Sequence, residues 1–136
     1  MALHKFSSVI PFPERALASG DLETSGEETW SPNTDLYVSG EGAVITMELA
    51  GIRREDLELS ADGQRLRVRG LRGDDSRPGG CNYLAMEIHY GAFEKALDLP
   101  AGYDLTQARA VYHNGILRIE VPKRPGPAGD RSITVQ

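Results

Sequence analysis

Cysteine is nearly absent from this 136-residue chain, and Cys81 is its single thiol. One thiol excludes an internal disulfide and is typical of a reducing compartment, so the sequence predicts a cytoplasmic protein. No apolar run approaches the ~20 residues that a membrane-spanning helix needs. The start of the sequence also lacks a basic stretch followed by an apolar segment and a small-residue cleavage site, so we expect no signal peptide.

Basic residues are too few and too scattered for a general nucleic-acid binder. The chain has 15 Lys and Arg against 20 Asp and Glu, a formal net charge of −5. Phosphate contacts require clustered positive charge. The one basic stripe, Arg65, Arg67 and Arg69, alternates with apolar residues and is interpreted as pairing with nearby acidic side chains. We therefore expect no nucleic-acid partner.

Signatures of catalysis and metal binding are missing as well. His4, His89 and His113 are far apart and have no cysteine or carboxylate at the spacing of metal ligands. Cys81 lies in a polar, glycine-flanked segment with no positive neighbour beyond Arg77, which favours an inert or redox-sensitive surface thiol over a nucleophile. The glycine-rich "RGDDSRPGG" lacks the spacing of a phosphate-binding loop. The sequence predicts a protein that is not an enzyme and holds no cofactor or metal.

Alternation of apolar and polar residues dominates from Trp30 onward and is the pattern of strands with one buried face. "DLYVS" and "ARAVY" are two short candidates, and "REDLELS" allows one helical turn before its strand. Asp62-Gly63 and Asn114-Gly115 are dipeptides typical of hairpin turns. Many short strands with turn signals predict an all-β fold, an antiparallel β-sandwich. The predicted inward residues are Ile45, Met47 and Leu49; Leu57 and Leu59; Leu66 and Val68; Phe93, Leu97 and Leu99; and Leu117, Ile119 and Val121.

Two flanking segments differ from this block, which gives a predicted arm (1–29), a domain (30–123) and a tail (124–136). The arm is interpreted as a flexible leader or as an interaction arm, because it carries large apolar residues without a helix or strand period. The tail passes through a Pro/Gly linker to Ile133 and Val135, which share a face of an extended segment. The apolar residues of the arm are Leu3, Phe6, Val9, Ile10 and Phe12.

A long excursion separates Gly70 from Glu87. Its first part, "LRGDDSRPGG", is charged and rich in glycine and proline, and its second part, "CNYLAMEI", can form a strand. A loop that carries its own strand can pair with the sheet edge of another subunit, which is a low-cost route to a dimer. The exchange segment is predicted at Cys81, Asn82, Tyr83 and Leu84.

Several stretches in the same order resemble the α-crystallin domain of the small heat shock proteins, in the bacterial and plant style. Ala110-x-x-x-Asn114-Gly115-Ile116-Leu117 with Val121-Pro122-Lys123 is similar to the family's Ala-x-x-x-Asn-Gly-Val-Leu signature and its closing Pro-Lys. "YGAF" at 90–93 resembles the stretch after the family's exchanged loop, and Ile133-Thr134-Val135 resembles its Ile-x-Ile/Val tail motif. The resemblance implies an immunoglobulin-like sandwich over residues 30–123.

In function, the resemblance implies an ATP-independent holdase that binds partly unfolded client proteins and passes them to ATP-driven refolding chaperones. It implies dimers that build larger oligomers, with clients bound by the arm. It also implies that the tail docks in a groove between two strands, here those of Leu57 and Leu59 and of the Val111 segment. The chain departs from the family at two places. The family commonly has Leu-Pro-Gly where this chain has Leu49-Ala50-Gly51, and Glu-Arg before the Tyr-Gly where this chain has Glu87-Ile88-His89. Because the arginine is missing, a salt bridge that it makes at the dimer interface elsewhere in the family does not carry over to this chain.

Two other interpretations remain open from the residues. A co-chaperone of the CS-domain type shares the sandwich but binds a specific chaperone as a monomer. A carbohydrate-binding or enzymatic sandwich would need a cleft of aromatic residues or paired carboxylates, and the tyrosines are spread over separate predicted elements.

Overall fold

The computed structural model describes residues 28–74 and 77–125, together with the backbone of residues 8–10. These residues form two antiparallel sheets with strand orders β1-β7-β8-β3-β2 and β4-β5-β6. No α-helix occurs among the described residues, which confirms the predicted all-β sandwich. The strands are β1 (Ser8–Ile10), β2 (Thr34–Val38), β3 (Gly42–Glu48), β4 (Leu57–Asp62), β5 (Arg65–Arg72), β6 (Gly91–Asp98), β7 (Arg109–His113) and β8 (Ile116–Pro122).

The core lies between the sheets and is built by the predicted alternation. In the larger sheet, Ile45 pairs with Ile119 and Met47 pairs with Leu117 in directly opposite positions, and all four are fully buried. Their neighbours Arg118 and Glu120 point outward and are exposed. Burial of such aliphatic side chains contributes ~1.5–3 kcal/mol each, so the period-two pattern is the main determinant of the fold. The smaller sheet contributes Leu57, Leu59, Leu66, Val68 and Phe93 to the same core.

The turns follow the local residue chemistry. Asn114 and Gly115 join β7 to β8 with φ of 50° and 76°, and a two-residue turn with positive φ at both positions matches the twist of a hairpin. The β4–β5 turn consists of Gly63 and Gln64, one residue later than the predicted dipeptide, because Asp62 still pairs with Arg65.

Two short 3₁₀ turns complete the connections. The first, Arg54–Asp56, is the single helical turn predicted before β4. The second, Leu105–Gln107, was not predicted. Asp104 precedes it and accepts hydrogen bonds from the Thr106 amide at 3.0 Å and the Thr106 hydroxyl at 2.5 Å. These bonds lower the pKa of Asp104 below its usual value, the side-chain bond being the largest cause.

Trp30 shows which edges of the two sheets lie on the same side. It bridges Phe93 at the edge of β6 and exchanges two backbone hydrogen bonds of 3.1 Å with that strand. Only residues 31–33 separate it from β2, and such a segment spans at most ~14 Å, while stacked sheets lie ~10 Å apart. The edges at β2 and β6 therefore lie on one side of the sandwich, and the other side holds β4 together with β7 and the short β1 that pairs with it.

Two segments differ from the sequence prediction. Residues 81–88 were predicted to be able to form a strand. In the described chain they join neither sheet and lie in the loop between β5 and β6. Conversely, Ser8–Ile10 of the arm forms β1, although the arm showed no strand period. β1 pairs antiparallel with β7, with Val9 opposite Val111 and Ile10 opposite Ala110.

Candidate interaction surfaces

The loop between β5 and β6 presents the most exposed apolar side chains among the described residues. Leu84 is fully exposed, and Met86 and Ile88 are each more than half exposed. Tyr83 is partly exposed, and Cys81 is an exposed free thiol. Large apolar groups concentrated on one loop are typical of a surface that is covered by a partner.

A small polar cluster shapes this loop. Arg77 Nε and Nη2 each lie 2.9 Å from Asp74 Oδ2, and the Tyr83 hydroxyl donates to the same oxygen at 3.2 Å. The Arg77 guanidinium also lies 4.8 Å from the centre of the Tyr83 ring. Loss of hydration raises the pKa of Tyr83, and the Asp74 carboxylate adds to this effect while Arg77 opposes it. The cluster folds the first half of the loop onto itself and leaves residues 84–88 outside.

The base of the loop is held by an aromatic cluster around Trp30. The Arg72 guanidinium lies 4.3 Å from the Trp30 ring centre, and the His89 ring stacks on it at 5.9 Å and 18°. Arg72 also donates to the backbone oxygens of Ala50 and His89, both at 3.0 Å. The Trp30 indole N–H donates to the Gly91 carbonyl at 3.1 Å. Both ends of the loop are therefore fixed to the segment that leads into β2.

β2 forms an edge of the larger sheet and extends beyond the cover of the smaller one. Leu36 lies opposite Ile45 and Val38 opposite Ala43, so they share the core-facing side of the sheet. Ile45 and Ala43 are buried, whereas Leu36 is 38 % exposed and Val38 is 54 % exposed. The smaller sheet therefore leaves an apolar overhang at β2, next to a strand edge with which no other described strand pairs.

The predicted tail groove lies on the opposite side, at β4 and β7. Leu57 and Leu59 are buried and face the larger sheet from edge strand β4. Val111 pairs with Arg118 and lies on the outer face, so it does not join the two leucines. The core-facing residues of β7 are Ala110 and Tyr112, and the Tyr112 hydroxyl donates to the Leu49 carbonyl.

Several predicted site residues lie outside the described part of the chain. These are the tail residues Ile133 and Val135 and the arm residues Leu3, Phe6 and Phe12. Val9 and Ile10 belong to β1 through their backbone pairing with β7. The predicted roles of all these residues remain predictions.

Comparison with known proteins identifies this architecture. The sequence profile described as the Hsp20/alpha crystallin family matches residues 35–136. The chain belongs to this family. Small heat shock protein C2 of Rickettsia felis is 32 % identical over 101 residues, which cover 74 % of this chain and 66 % of that protein. Spore protein SP21 of Stigmatella aurantiaca is 31 % identical over 100 residues, which cover 74 % of this chain and 59 % of that one. The matches thus span about three-fifths to two-thirds of these relatives.

Solved structures of the Hsp20/alpha crystallin family share the fold. A small heat-shock protein from Xylella fastidiosa is 28 % identical with a TM-score of 0.67, and the match covers 80 % of this chain and 99 % of that one. The hspA protein from Xanthomonas axonopodis is 31 % identical with a TM-score of 0.65, covering 72 % and 98 %. Members of the small heat shock protein family are non-enzymatic chaperones.

Two arginines of the basic stripe form ion pairs on the smaller sheet of this Hsp20 domain. Arg65 Nε lies 3.3 Å from an Asp98 oxygen, and Arg67 Nε lies 2.9 Å from a Glu94 oxygen, although the latter contact lacks hydrogen-bond geometry. The predicted pairing of the basic stripe is confirmed for these two arginines.

Within residues 28–74 and 77–125, no cluster of His, Cys, Asp and Glu could hold a metal ion. In the same described part of the chain, no helix has the length and apolar character needed to cross a bilayer.

Sequence reasoning missed two features of these surfaces. The Trp30 cluster joins Trp30, Arg72 and His89, which are far apart in sequence, and the single tryptophan beside a polar segment was its one available signal. The overhang of Leu36 and Val38 was also missed, because alternation predicts which face a side chain occupies but not how wide the opposing sheet is.

Proposed function

We propose that the protein is an ATP-independent holdase that binds partly unfolded proteins and prevents their aggregation. The observation that carries the proposal is that the chain belongs to the Hsp20/alpha crystallin family and presents exposed apolar side chains on the β5–β6 loop and the β2 overhang, which we assign below to assembly. A holdase also needs apolar surface that adapts to many clients rather than a shaped pocket, and we assign that role to the arm. The net charge of −5 keeps such a surface compatible with solubility.

The first contact of assembly is a dimer between two copies of the chain. In it, the loop segment that contains Cys81, Asn82, Tyr83 and Leu84 extends from one copy and pairs with the β2 edge of the other. Three observations support this arrangement: within residues 28–74 and 77–125 nothing pairs with the outer edge of β2, its overhang is apolar, and the loop presents apolar groups that belong to neither sheet. Addition of a strand to a free edge provides main-chain hydrogen bonds, and the alternate side chains provide specificity.

Ile88 contributes to this dimer through apolar contact. It stands where the family commonly has an arginine, and it is 60 % exposed in the single chain. Covering an exposed isoleucine on a partner strand is favourable without any ion pair. We therefore expect the dimer to depend little on salt.

The tail residues Ile133 and Val135 join dimers into larger assemblies by docking at the β4–β7 side of a sandwich. Leu57 and Leu59 line this side from β4, and we assign Ala110 and Tyr112 rather than the Val111 side chain to the β7 wall. Burial of two aliphatic side chains contributes roughly 3–6 kcal/mol, and ordering three residues costs a similar ~3–6 kcal/mol. A single docked tail is therefore weak, and the assembly depends on many tails acting together.

The arm supplies the client-binding groups, Leu3, Phe6, Val9, Ile10 and Phe12. Clients held by such weak apolar contacts remain available to ATP-driven refolding chaperones, which we propose as downstream partners. The exposed Cys81 thiol is compatible with a reducing compartment, and we propose the cytoplasm as the location.

Aggregation of a heated client enzyme, followed by light scattering without ATP, tests the holdase activity. We expect scattering to fall as the chaperone approaches a stoichiometric ratio to the client. No reduction at a severalfold molar excess would refute the proposal. Native mass in the same buffer tests assembly, and a monomer would favour a co-chaperone of the CS-domain type.

The variant Leu84→Asp tests the dimer contact, because a charge on the exchanged segment cannot be buried against the β2 overhang. We expect the native mass to fall to that of a single chain or an unstable dimer. Glu87→Gln, an exposed change in the same loop, is the matched control and should leave the mass unchanged. An unaltered mass for Leu84→Asp would contradict the assigned contact.

A further inference from the structure

The loop between β5 and β6 carries an apolar series that is almost free of contacts with the rest of the chain. Leu84, Met86 and Ile88 alternate along the sequence and are each 60 % exposed or more. Tyr83 directly precedes this series and is less exposed, at 44 %. When such a segment is extended, neighbouring side chains point to opposite sides, so Tyr83 lies on the face opposite to the three apolar residues. We call the face with the three apolar residues the outer face of the loop.

Tyr83 is contacted by two charged residues from the first half of the same loop. One Asp74 carboxylate oxygen accepts hydrogen bonds from Arg77 Nε at 2.9 Å and from the Tyr83 hydroxyl at 3.2 Å. The Arg77 guanidinium also lies 4.8 Å from the centre of the Tyr83 ring. Only 8 % of the Asp74 side chain is exposed, so these contacts are less screened by water than those of a surface ion pair. We call Asp74, Arg77 and Tyr83 the loop clasp.

A tight turn allows the loop clasp to close. Residues 79 and 80 form this turn, and Gly80 has a φ of 77°, a left-handed conformation that glycine adopts without steric cost. Arg77 and Tyr83 are six residues apart, and a fully extended chain would place their Cα atoms ~20 Å from each other. The turn reverses the chain and brings the two side chains into contact.

The loop clasp orders the loop before any second copy binds. The Trp30 cluster fixes both ends of the loop, and the loop clasp fixes the part between them. Each loop residue that becomes ordered only on association adds a cost in conformational entropy. Contacts that already order the loop in the single chain reduce this cost, which is the general effect of pre-organisation.

We propose that Asp74 and Arg77 are positioning residues for the dimer, which act through Tyr83 to present the outer face of the loop to the β2 edge of a second copy. The inference rests on the dimer proposed above. Without the loop clasp, the loop adopts many shapes, and the apparent dissociation constant rises by the inverse of the fraction of chains with a competent loop. In the formed dimer the second copy orders the loop, so the dissociation rate does not depend on the clasp.

The variant Arg77→Gln tests the proposal in the full chain, with Ile133→Ala and Val135→Ala added so that tail contacts do not contribute. We expect the dimer dissociation constant from sedimentation equilibrium to rise by about threefold or more. Exchange between isotope-labelled and unlabelled copies, followed by native mass spectrometry, reports the dissociation rate, which should stay within about twofold. Arg77→Lys keeps the charge opposite Asp74 and should restore part of the affinity. Arg65→Gln, the same charge change on the smaller sheet, is the matched control and should leave the constant unchanged.

The variant Gly80→Ala opens the loop clasp without removing any of its polar groups. A Cβ atom at Gly80 would meet no atom within 4 Å, but alanine is strained at the φ of 77°. We expect a rise in the dissociation constant like that of Arg77→Gln. Gly79→Ala is the matched control, because a Cβ atom there also meets no atom within 4 Å and Gly79 does not have a positive φ.

The outcomes separate the clasp from the dimer itself. A dissociation constant that Arg77→Gln and Gly80→Ala leave unchanged would overturn the proposal, and so would a lower one, since the clasp would then keep the loop from the second copy. Faster dissociation at an unchanged association rate would also overturn it, because Arg77 would then contact the second copy directly. An equal rise for Arg65→Gln would attribute the effect to net charge instead. Absence of association with the clasp intact would refute the proposed dimer, and the positioning role with it.

Discussion

Replacing Gly70 with alanine should destabilise the sandwich strongly. Gly70 lies near the end of β5 between two rigid neighbours, with Leu57 opposite on β4 and Phe93 opposite on β6. A Cβ atom at this position would lie 2.7 Å from Phe93 Cε1, and closer still to Phe93 Cζ and to the Asp56 backbone oxygen. Favourable contacts between carbon atoms begin near ~3.5 Å, so the neighbours must move by roughly 1 Å.

Neither neighbour can move without cost. Phe93 is fully buried and packs against Trp30, with their ring centres 5.1 Å apart. The Asp56 oxygen belongs to the backbone of the first 3₁₀ turn. Overpacking of a rigid core usually costs ~1–3 kcal/mol. Because the new Cβ would meet both the Phe93 ring and the Asp56 backbone oxygen, we expect Gly70→Ala to lower the free energy of unfolding by about 2–3 kcal/mol. For a domain of this size, such a loss lowers the melting temperature by about 10 °C.

Urea unfolding followed by the fluorescence of Trp30, the single tryptophan, measures this effect next to the perturbed site. All variants should be compared at one protomer concentration, because assembly contributes to the apparent stability. Gly40→Ala is the matched control, since a Cβ there would meet no atom within 4 Å. A loss below 0.5 kcal/mol, on the order of a surface substitution, would refute the steric argument.

A double variant separates steric overlap from a change in backbone preference. Phe93→Leu removes the aromatic ring atoms that the new Cβ would meet. The double variant Gly70→Ala with Phe93→Leu should therefore lose at least ~1 kcal/mol less free energy of unfolding than the sum of the two single changes. Strict additivity would show that the Phe93 ring is not the obstacle.

Three further predictions concern assembly, clients and pH. Ile133→Ala with Val135→Ala should reduce large oligomers to dimers in sedimentation velocity, because the tail anchors are removed; an unchanged profile would count against tail docking. Deletion of residues 1–29 should weaken protection of a heated client and leave a folded sandwich by circular dichroism; undiminished protection would exclude the arm as the client site. The pKa of Asp104 is lower in the folded state than its ordinary value of 3.8. Ionised Asp104 therefore contributes to stability at pH values above 3.8, and this contribution is lost as the pH falls from 3.8 through the folded pKa. Thr106→Ala should raise that pKa in an NMR titration, and an unmoved pKa would contradict the hydrogen bond assigned from the Thr106 hydroxyl to the Asp104 carboxylate.

The fold could be predicted from the sequence because its determinants are local. Ile45 and Met47 alternate with polar residues, and so do Leu117 and Ile119, so the buried faces follow directly from period two. The Asn114-Gly115 turn is equally local, since both residues tolerate the positive φ that they adopt. Patterns of this kind need no knowledge of the partner strand.

The interaction surfaces were less predictable because they depend on distant residues. The face of Val111 is determined by its pairing with Arg118, and the motif that contains it does not indicate which side of the strand faces the smaller sheet. The arm strand was missed for a related reason. Three residues are too few to show a period, and Ser8–Ile10 becomes a strand only because the β7 edge is available to it.

The overhang at β2 has a consequence for the protein when it is dilute. In the described part of the chain, the outer edge of β2 has no pairing strand and lies beside the exposed aliphatic side chains of Leu36 and Val38. Such an edge is the feature through which misfolded chains associate. Under the function and the dimer proposed above, a protein that prevents aggregation carries an aggregation hazard of its own, and this hazard is hidden only while another copy covers it. Its colloidal stability should therefore improve, not worsen, as its concentration rises through the range where the copies associate.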